Sequence, residues 1–182
     1  QFVQESKLES TELLRDVTTT TDTELSYGQF DSYNLTNYWE TSSNDHVVSI
    51  NTDVLFGAVK TDYDVSAGGV QTLSTSGSFT ISEGVEYTLN LKTLLSGSLN
   101  DTNKSIRAYF SGSSYEQNFL TVSGSAIYRT RQKITQNILA NKTVSDAHLK
   151  FDITGDDWYI SNVSLRNAQD TSFSPDEFAL IQ

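Results

Sequence analysis

The strongest constraint on this chain is a succession of short runs in which apolar and polar residues alternate. Tyr87, Leu89 and Leu91 fall on one side of an extended strand and polar residues on the other, and the same pattern recurs at 106–110 and 149–153. A period of two is typical of half-buried β-strands. Because roughly eight to ten such runs follow one another between turn residues, without intervening helices, the sequence predicts an all-β fold, a two-sheet antiparallel β-sandwich.

The length of 182 residues suits one domain with a substantial core. The polar, threonine-rich segment 1–24 is interpreted as a linker or edge segment, 25–167 as the β-domain and 168–182 as a C-terminal connecting tail. The last segment holds the only proline, Pro175, and the chain opens at Gln1 without an initiator Met. We therefore expect either a processed product or an excised piece of a longer polypeptide, and favour the second.

Composition narrows the classes of function. The formal net charge of −11 argues against a nucleic-acid partner, and no apolar segment or basic amphipathic helix predicts membrane insertion. The absence of cysteine removes thiol chemistry. The sequence contains no nucleophile elbow and no phosphate loop. The acidic pair Asp156-Asp157 is expected in a hairpin turn, where aspartate is common for backbone reasons rather than catalytic ones. The sequence therefore predicts a protein that is not an enzyme.

Three segments carry a resemblance to a known family. They are Gly28-Gln29-Phe30-Asp31 followed by Tyr38-Trp39-Glu40, then 81–89 with Gly84, Tyr87 and Leu89. The third is Leu149-Lys150-Phe151 together with 155–165, which holds the run Tyr159-Ile160-Ser161-Asn162-Val163-Ser164-Leu165. In order and spacing they resemble the opening segment, a central hairpin and the closing hairpin of carbohydrate-binding modules of the family four and nine type. The resemblance implies a jelly-roll β-sandwich that binds glycans without catalysis.

The C-terminal end of the chain, from Asn162 to Glu177, looks more like bacteriophage tail proteins than like a cellulase. The resemblance thus implies a virion protein, a glycan-binding module of a larger viral tail or baseplate assembly. Such a module would be extracellular or on the virion surface. It would bind host cell-surface polysaccharide on an aromatic-lined face and contact other subunits or domains of the assembly.

Members of that family often bind a structural calcium ion through two carboxylates, and this is the only cofactor that the resemblance implies. Asp31 matches the first carboxylate and is the candidate metal ligand, but Ser161 stands at the second. A hydroxyl is a poor replacement for a charged calcium ligand. Tyr27 also stands where the family has its opening asparagine.

A sugar site needs aromatic rings against the apolar ring face and polar groups against the hydroxyls. Alternation along 106–110 places Arg107 and Tyr109 together on the face opposite the core. Tyr38 and Trp39 lie in a loop-like polar stretch, where binding residues are frequent. The Trp39 side chain is as compatible with a core position as with a site.

Two further aromatic residues complete the predicted binding set. Tyr115 lies in a polar segment, 112–118. If Val163 and Leu165 point into the core, strict alternation turns Tyr159 inward and Trp158 outward. An outward tryptophan on a wet sheet is either covered or used for binding.

Two alternatives stay open. One is a structural β-sandwich of a virion or surface assembly with no ligand, and the other is an accessory module of a secreted glycoside hydrolase. Folds of this type support both roles, so the fold does not decide between them.

Overall fold

The computed structural model describes residues 11–14, 27–28, 30, 32–41, 46–51, 58–63, 70–95, 104–124, 130–155 and 158–167. Within them the chain forms twelve strands and one short helix. Their bounds are β1 Thr11–Glu12, α1 Ser32–Tyr38, β2 Trp39–Thr41, β3 His46–Asn51, β4 Ala58–Tyr63, β5 Val70–Thr75, β6 Phe79–Ile81, β7 Glu86–Leu95, β8 Ser105–Gly112, β9 Tyr115–Ser123, β10 Gln132–Leu139, β11 Val144–Thr154 and β12 Trp158–Asn167. None of the described helices is long and apolar enough to cross a membrane.

The strands form two antiparallel sheets, which confirms the predicted all-β jelly-roll sandwich. The β7 sheet has the order β10-β7-β12-β4-β3, with β1 paired to β12. The β11 sheet has the order β2-β5-β11-β8-β9, with β6 paired to β11. The predicted hairpins at 81–89 and 149–165 are wrong in one respect, because β6 and β7, and likewise β11 and β12, lie in different sheets. These connections cross the sandwich rather than join paired neighbours.

The core lies between the sheets and is built from alternate residues of the long strands. On β7 the predicted inward residues Tyr87, Leu89 and Leu91 are buried, and on β11 Phe151 and Ile153 are completely buried. The polar residues between them face away from the core, as the period of two requires. The two inner faces thereby exclude water from one continuous apolar cluster.

Strand β12 departs from strict alternation, and the predicted outward orientation of Trp158 is wrong. The pairing with β7 shifts register between Ser161 and Ser164, and Asn162 within the shift has a φ of 49°. A bulge adds one residue to one strand and reverses the phase of the side chains beyond it. Both Trp158 on one side of the bulge and Leu165 on the other are therefore completely buried in the core.

The bulge also changes the position of Tyr159, which was predicted to point inward. Its ring packs with Leu94 of β7 in a small buried cluster that is separate from the main core. Only 5% of Tyr159 is exposed. The opposite face of the β7 sheet is thus covered at this position.

Strand β1 lies inside the segment 1–24 and pairs with β12 through Thr11 and Glu12. The Glu12 carboxylate accepts backbone hydrogen bonds from Leu14 at 3.1 Å and Leu165 at 2.9 Å, and a hydroxyl bond from Ser164. Burial raises the pKa of Glu12. The remainder of 1–24 and the tail 168–182 lie outside the described residues, and the boundaries drawn from sequence stay a prediction.

Candidate functional site

The outer face of the β11 sheet carries a cluster of polar side chains from three adjacent strands. Arg107 of β8 lies directly opposite Asp152 of β11 in the pairing register, and Tyr109 lies opposite Asn118 of β9. Glu116 is the next outward residue along β9. We call this surface, made by Arg107, Tyr109, Glu116, Asn118 and Asp152, the arginine face.

Arg107 is the centre of the hydrogen bonding on the arginine face. Its Nη2 donates to Glu116 Oε1 at 2.9 Å and to Asp152 Oδ2 at 3.0 Å, and its Nη1 donates to Asn118 Oδ1 at 3.2 Å. The bond to Glu116 is the largest cause that raises the pKa of Arg107, with Asp152 contributing in the same direction. The guanidinium therefore stays charged and is held in one orientation by partners on two neighbouring strands.

Tyr109 contacts both Arg107 and Asp152. The Arg107 guanidinium carbon lies 4.0 Å from the centroid of the Tyr109 ring, within cation–π distance. The Tyr109 hydroxyl donates to Asp152 Oδ1 at 2.9 Å. Burial, followed by this hydrogen bond, raises the pKa of Tyr109 to about 12. Only 6% of Tyr109 is exposed, so the flat surface offered to solvent is the guanidinium rather than the ring.

Asp152 of β11 forms hydrogen bonds with both neighbouring strands, β5 and β8. Besides Arg107 and Tyr109, it accepts a hydrogen bond from Thr72 Oγ1 of β5 at 3.0 Å. The side chains of Arg107, Glu116 and Asp152 remain 32%, 54% and 23% exposed. The cluster is thus fixed by its own bonds and still reachable from solvent, which is the arrangement that limits ordering cost on binding.

The structure separates Tyr115 from the arginine face. Strand alternation turns it to the other side of β9 from Glu116, where it packs against the core. Its hydroxyl bonds to Gln117, whose Nε2 donates to the Leu139 carbonyl of β10 at 2.9 Å. Burial raises the pKa of Tyr115. These contacts bridge the edges of the two sheets, which is a structural role.

Tyr38 and Trp39 lie at the junction of α1 and β2, not in the predicted loop. Trp39 is 4% exposed, its Nε1 donates to the Tyr27 carbonyl at 3.0 Å, and its ring centroid lies 5.1 Å from that of Phe30. The half-buried Tyr38 ring stacks on Tyr27 at 4.7 Å. Trp39 is therefore a core residue, and Tyr38 packs at the core margin.

The opening segment of the family resemblance contacts the closing one. The Val163 amide donates to the Gly28 carbonyl at 3.0 Å, and a Cβ on Gly28 would lie 1.8 Å from the Val163 carbonyl oxygen. Only glycine permits this approach of two backbones. Gly28 and Phe30, which is 1% exposed, therefore form part of the fold rather than of a binding surface.

The structure places the six predicted binding residues in different environments. Arg107 and Tyr109 lie on one outer face, as predicted. Trp39 and Trp158 lie in the core, where they cannot reach a ligand at the surface. Asp31 lies outside the described residues, so the calcium site stays a prediction. The described residues contain no group of three or more His, Asp or Glu side chains placed to hold a metal ion.

Sequence reasoning missed Asp152, Glu116, Asn118 and Thr72. The alternation of Asp152 with Phe151 already indicates that its side chain faces outward. That this carboxylate meets Arg107 depends on the pairing of β11 with β8 across 45 residues of sequence. No local pattern fixes such a register.

Comparison with solved structures identifies the architecture as one found in carbohydrate-binding modules. The CBM22-1–GH10 modules of Clostridium thermocellum endo-1,4-beta-D-xylanase 10B, complexed with xylohexaose, give a TM-score of 0.56 at 14% identity, covering 90% of this chain and 30% of that chain. A family 29 carbohydrate-binding module gives 0.48 at 13% identity, covering 87% and 88%. A family 29 module variant complexed with cellulohexaose gives 0.46 at 15%, covering 72% and 82%.

These likenesses are likenesses of fold. No family model matches the sequence, and no curated protein matches it. The solved structures belong to families 29 and 22. The resemblance to families four and nine and the viral tail context therefore stay predictions.

Proposed function

We propose that this chain is a non-catalytic glycan-binding module whose ligand lies on the arginine face. The observation that carries the proposal is the Arg107–Glu116–Asp152 network, which is fixed by hydrogen bonds across three strands and remains partly exposed. A saccharide presents many hydroxyl groups that both donate and accept. The second Glu116 carboxylate oxygen, Oε2, and the remaining guanidinium donors match them.

The binding mode differs from the aromatic-lined face expected from sequence. The described tyrosine and tryptophan side chains are all buried or half-buried, and Tyr109 lies under Arg107. Recognition on the arginine face would therefore depend on hydrogen bonds to hydroxyl groups rather than on a ring stacked against the sugar. We expect weak binding per site, strengthened where several copies act together.

The proposed context is a viral tail or surface assembly, outside the cell, with host polysaccharide and neighbouring subunits as partners. The fold shared with a xylanase structure that includes a carbohydrate-binding module and was solved with xylohexaose supports the glycan part of this proposal. The assembly part rests on the sequence resemblance alone.

A second candidate function is a structural sandwich with no ligand. The burial of both tryptophans and of Tyr27, Tyr87 and Tyr159 favours it, because these rings serve packing. Under this alternative the arginine network would stabilise the sheet only.

The deciding experiment is affinity electrophoresis of the chain in gels that contain soluble polysaccharides, including xylan, mannan and β-glucan. We expect retardation by at least one polymer, and its loss in Arg107→Gln with an unchanged fold by circular dichroism. Arg131→Gln, at an exposed arginine immediately before β10, is the matched control and should migrate as the parent does. Retardation that survives Arg107→Gln would remove the arginine face from the proposal, and no retardation by any polymer would favour the structural alternative.

A further inference from the structure

The outer face of the β7 sheet carries two lysines in an unusual relation. Lys92 of β7 and Lys133 of β10 lie directly opposite each other in the pairing register, and both are exposed. Directly opposed side chains have Cβ atoms about 4.5–5.5 Å apart, and like charges in this position are destabilising. We call this surface, with Lys92, Lys133 and the Asn90–Thr135 pair beside them, the lysine face.

Neither ammonium has a compensating carboxylate among the described residues. Ion pairs between described residues involve Arg107 and Arg166, and neither Lys92 nor Lys133 has a carboxylate within 4.0 Å among those residues. In a chain with a net charge of −11 acidic residues are abundant, yet no described carboxylate pairs with either lysine. Two uncompensated cations held side by side create a local positive potential that an anion would relieve.

The outward side chains from Thr88 to Lys92 on β7, and from Lys133 to Asn137 on β10, are polar. The Leu94–Tyr159 cluster and the Glu86–Leu139 pair lie beyond the two ends of this polar strip. Thr135 Oγ1 donates to Asn90 Oδ1 at 2.6 Å, and Thr88 Oγ1 donates to Asn137 Oδ1 at 2.8 Å, in consecutive cross-strand pairs. From residue 88 to residue 92 this polar strip is about 13 Å long. Amide and hydroxyl groups in a row next to two cations suit an extended polar chain that carries negative charges.

We infer that the lysine face binds an anionic polysaccharide through its carboxylate, phosphate or sulfate groups. Protein interfaces have an apolar centre and are depleted in lysine, unlike this strip. A membrane surface would require apolar anchors, and a nucleic-acid duplex carries one phosphate charge per about 1.7 Å, far more charge than two lysines compensate. An acidic glycan remains, and it would occupy the face of the sandwich opposite to the arginine face.

The test uses the whole chain in affinity electrophoresis with polygalacturonate, and with its methyl ester as the uncharged polymer. We expect retardation by polygalacturonate but not by the ester, weakened by salt because exposed charges are screened. The double variant K92Q/K133Q should lose about fivefold or more in affinity. Lys142→Gln, an exposed lysine in the turn between β10 and β11, is the control and should bind as the parent does.

The inference is independent of the proposed function, because K92Q/K133Q should leave binding of neutral glycans unchanged. It is overturned if polygalacturonate causes no retardation, if the double variant binds as tightly as the parent, or if Lys142→Gln weakens binding equally. Equal retardation by the ester would likewise overturn it, since the charge would then play no part.

Discussion

The cations on the two outer faces of the sandwich differ in whether a described carboxylate pairs with them. On the arginine face, Arg107 is tied to Glu116 and Asp152 and lies over the Tyr109 ring. On the lysine face, Lys92 and Lys133 lie opposite each other without a described counter-charge. A compensated cation in fixed geometry suits selective hydrogen bonding to neutral groups, whereas an uncompensated pair suits attraction of an anion. One fold thereby presents two surfaces of different chemistry.

Both faces depend on the same core, so the largest expected effect is a core truncation that damages them equally. Trp158→Ala removes a completely buried indole and should lower the free energy of unfolding by about 3–5 kcal/mol. Urea denaturation measures this loss. Leu139→Ala, at a side chain that is 59% exposed, is the control and should stay within about 0.5 kcal/mol of the parent. A small loss for Trp158→Ala would show that this ring is not in the core.

The next effect should be confined to the arginine face. Asp152→Ala removes the acceptor of the Tyr109 hydroxyl, which is then left buried without its partner, and should cost about 1–3 kcal/mol of stability. Glycan retardation should fall in the same variant, while polygalacturonate retardation by the lysine face should not. Equal loss at both faces would indicate that the network supports the whole fold rather than one surface.

A third effect appears only at high pH. The pKa of Tyr109 is raised from its ordinary 10.0 to about 12, so the folded chain keeps this proton when the unfolded chain has lost it. The stability from the protonated hydroxyl is complete below pH 10 and is lost as the pH rises towards 12. Tyr109→Phe should therefore show a shallower decline of melting temperature over this range than the parent. Parallel curves would contradict the raised pKa.

The smallest effect tests the lysine face in the absence of a ligand. Lys92→Glu places opposite charges across β7 and β10 and should stabilise the fold by about 0.2–1 kcal/mol at low salt. The gain should shrink as salt rises. Thermal unfolding at two salt concentrations measures it, and an unchanged or lower melting temperature at low salt would mean that Lys92 and Lys133 do not repel each other.

The sandwich could be predicted because alternation on β7, β8 and β11 is regular over many residues. The same rule failed on β12, where the bulge at Asn162 counts two residues against one and reverses the phase. Local sequence does not indicate such an extra residue, because the bulge is defined by the pairing of Asn162 and Val163 against a single residue of the distant strand β7. The orientation of Trp158 was therefore wrong although the strand itself was predicted.

For the candidate site, alternation indicates which face a side chain occupies but not what covers it there. Arg107 and Tyr109 share the predicted face, yet the guanidinium lies over the ring, so Tyr109 is not the exposed platform that sequence favoured. The partners Glu116 and Asp152 depend on the register between strands, which long-range packing sets. The sequence thus predicted Arg107 and Tyr109 as site residues but not their partners Glu116 and Asp152.

The most direct test of glycan binding at the arginine face is a nuclear magnetic resonance titration of the ¹⁵N-labelled chain with neutral oligosaccharides of xylan, mannan and β-glucan. Our account predicts that at least one oligosaccharide shifts the amide signals of residues 107, 116–118 and 152, and leaves those of 92 and 133 unchanged. Shifts centred elsewhere, or no shifts with any of these sugars, would contradict it.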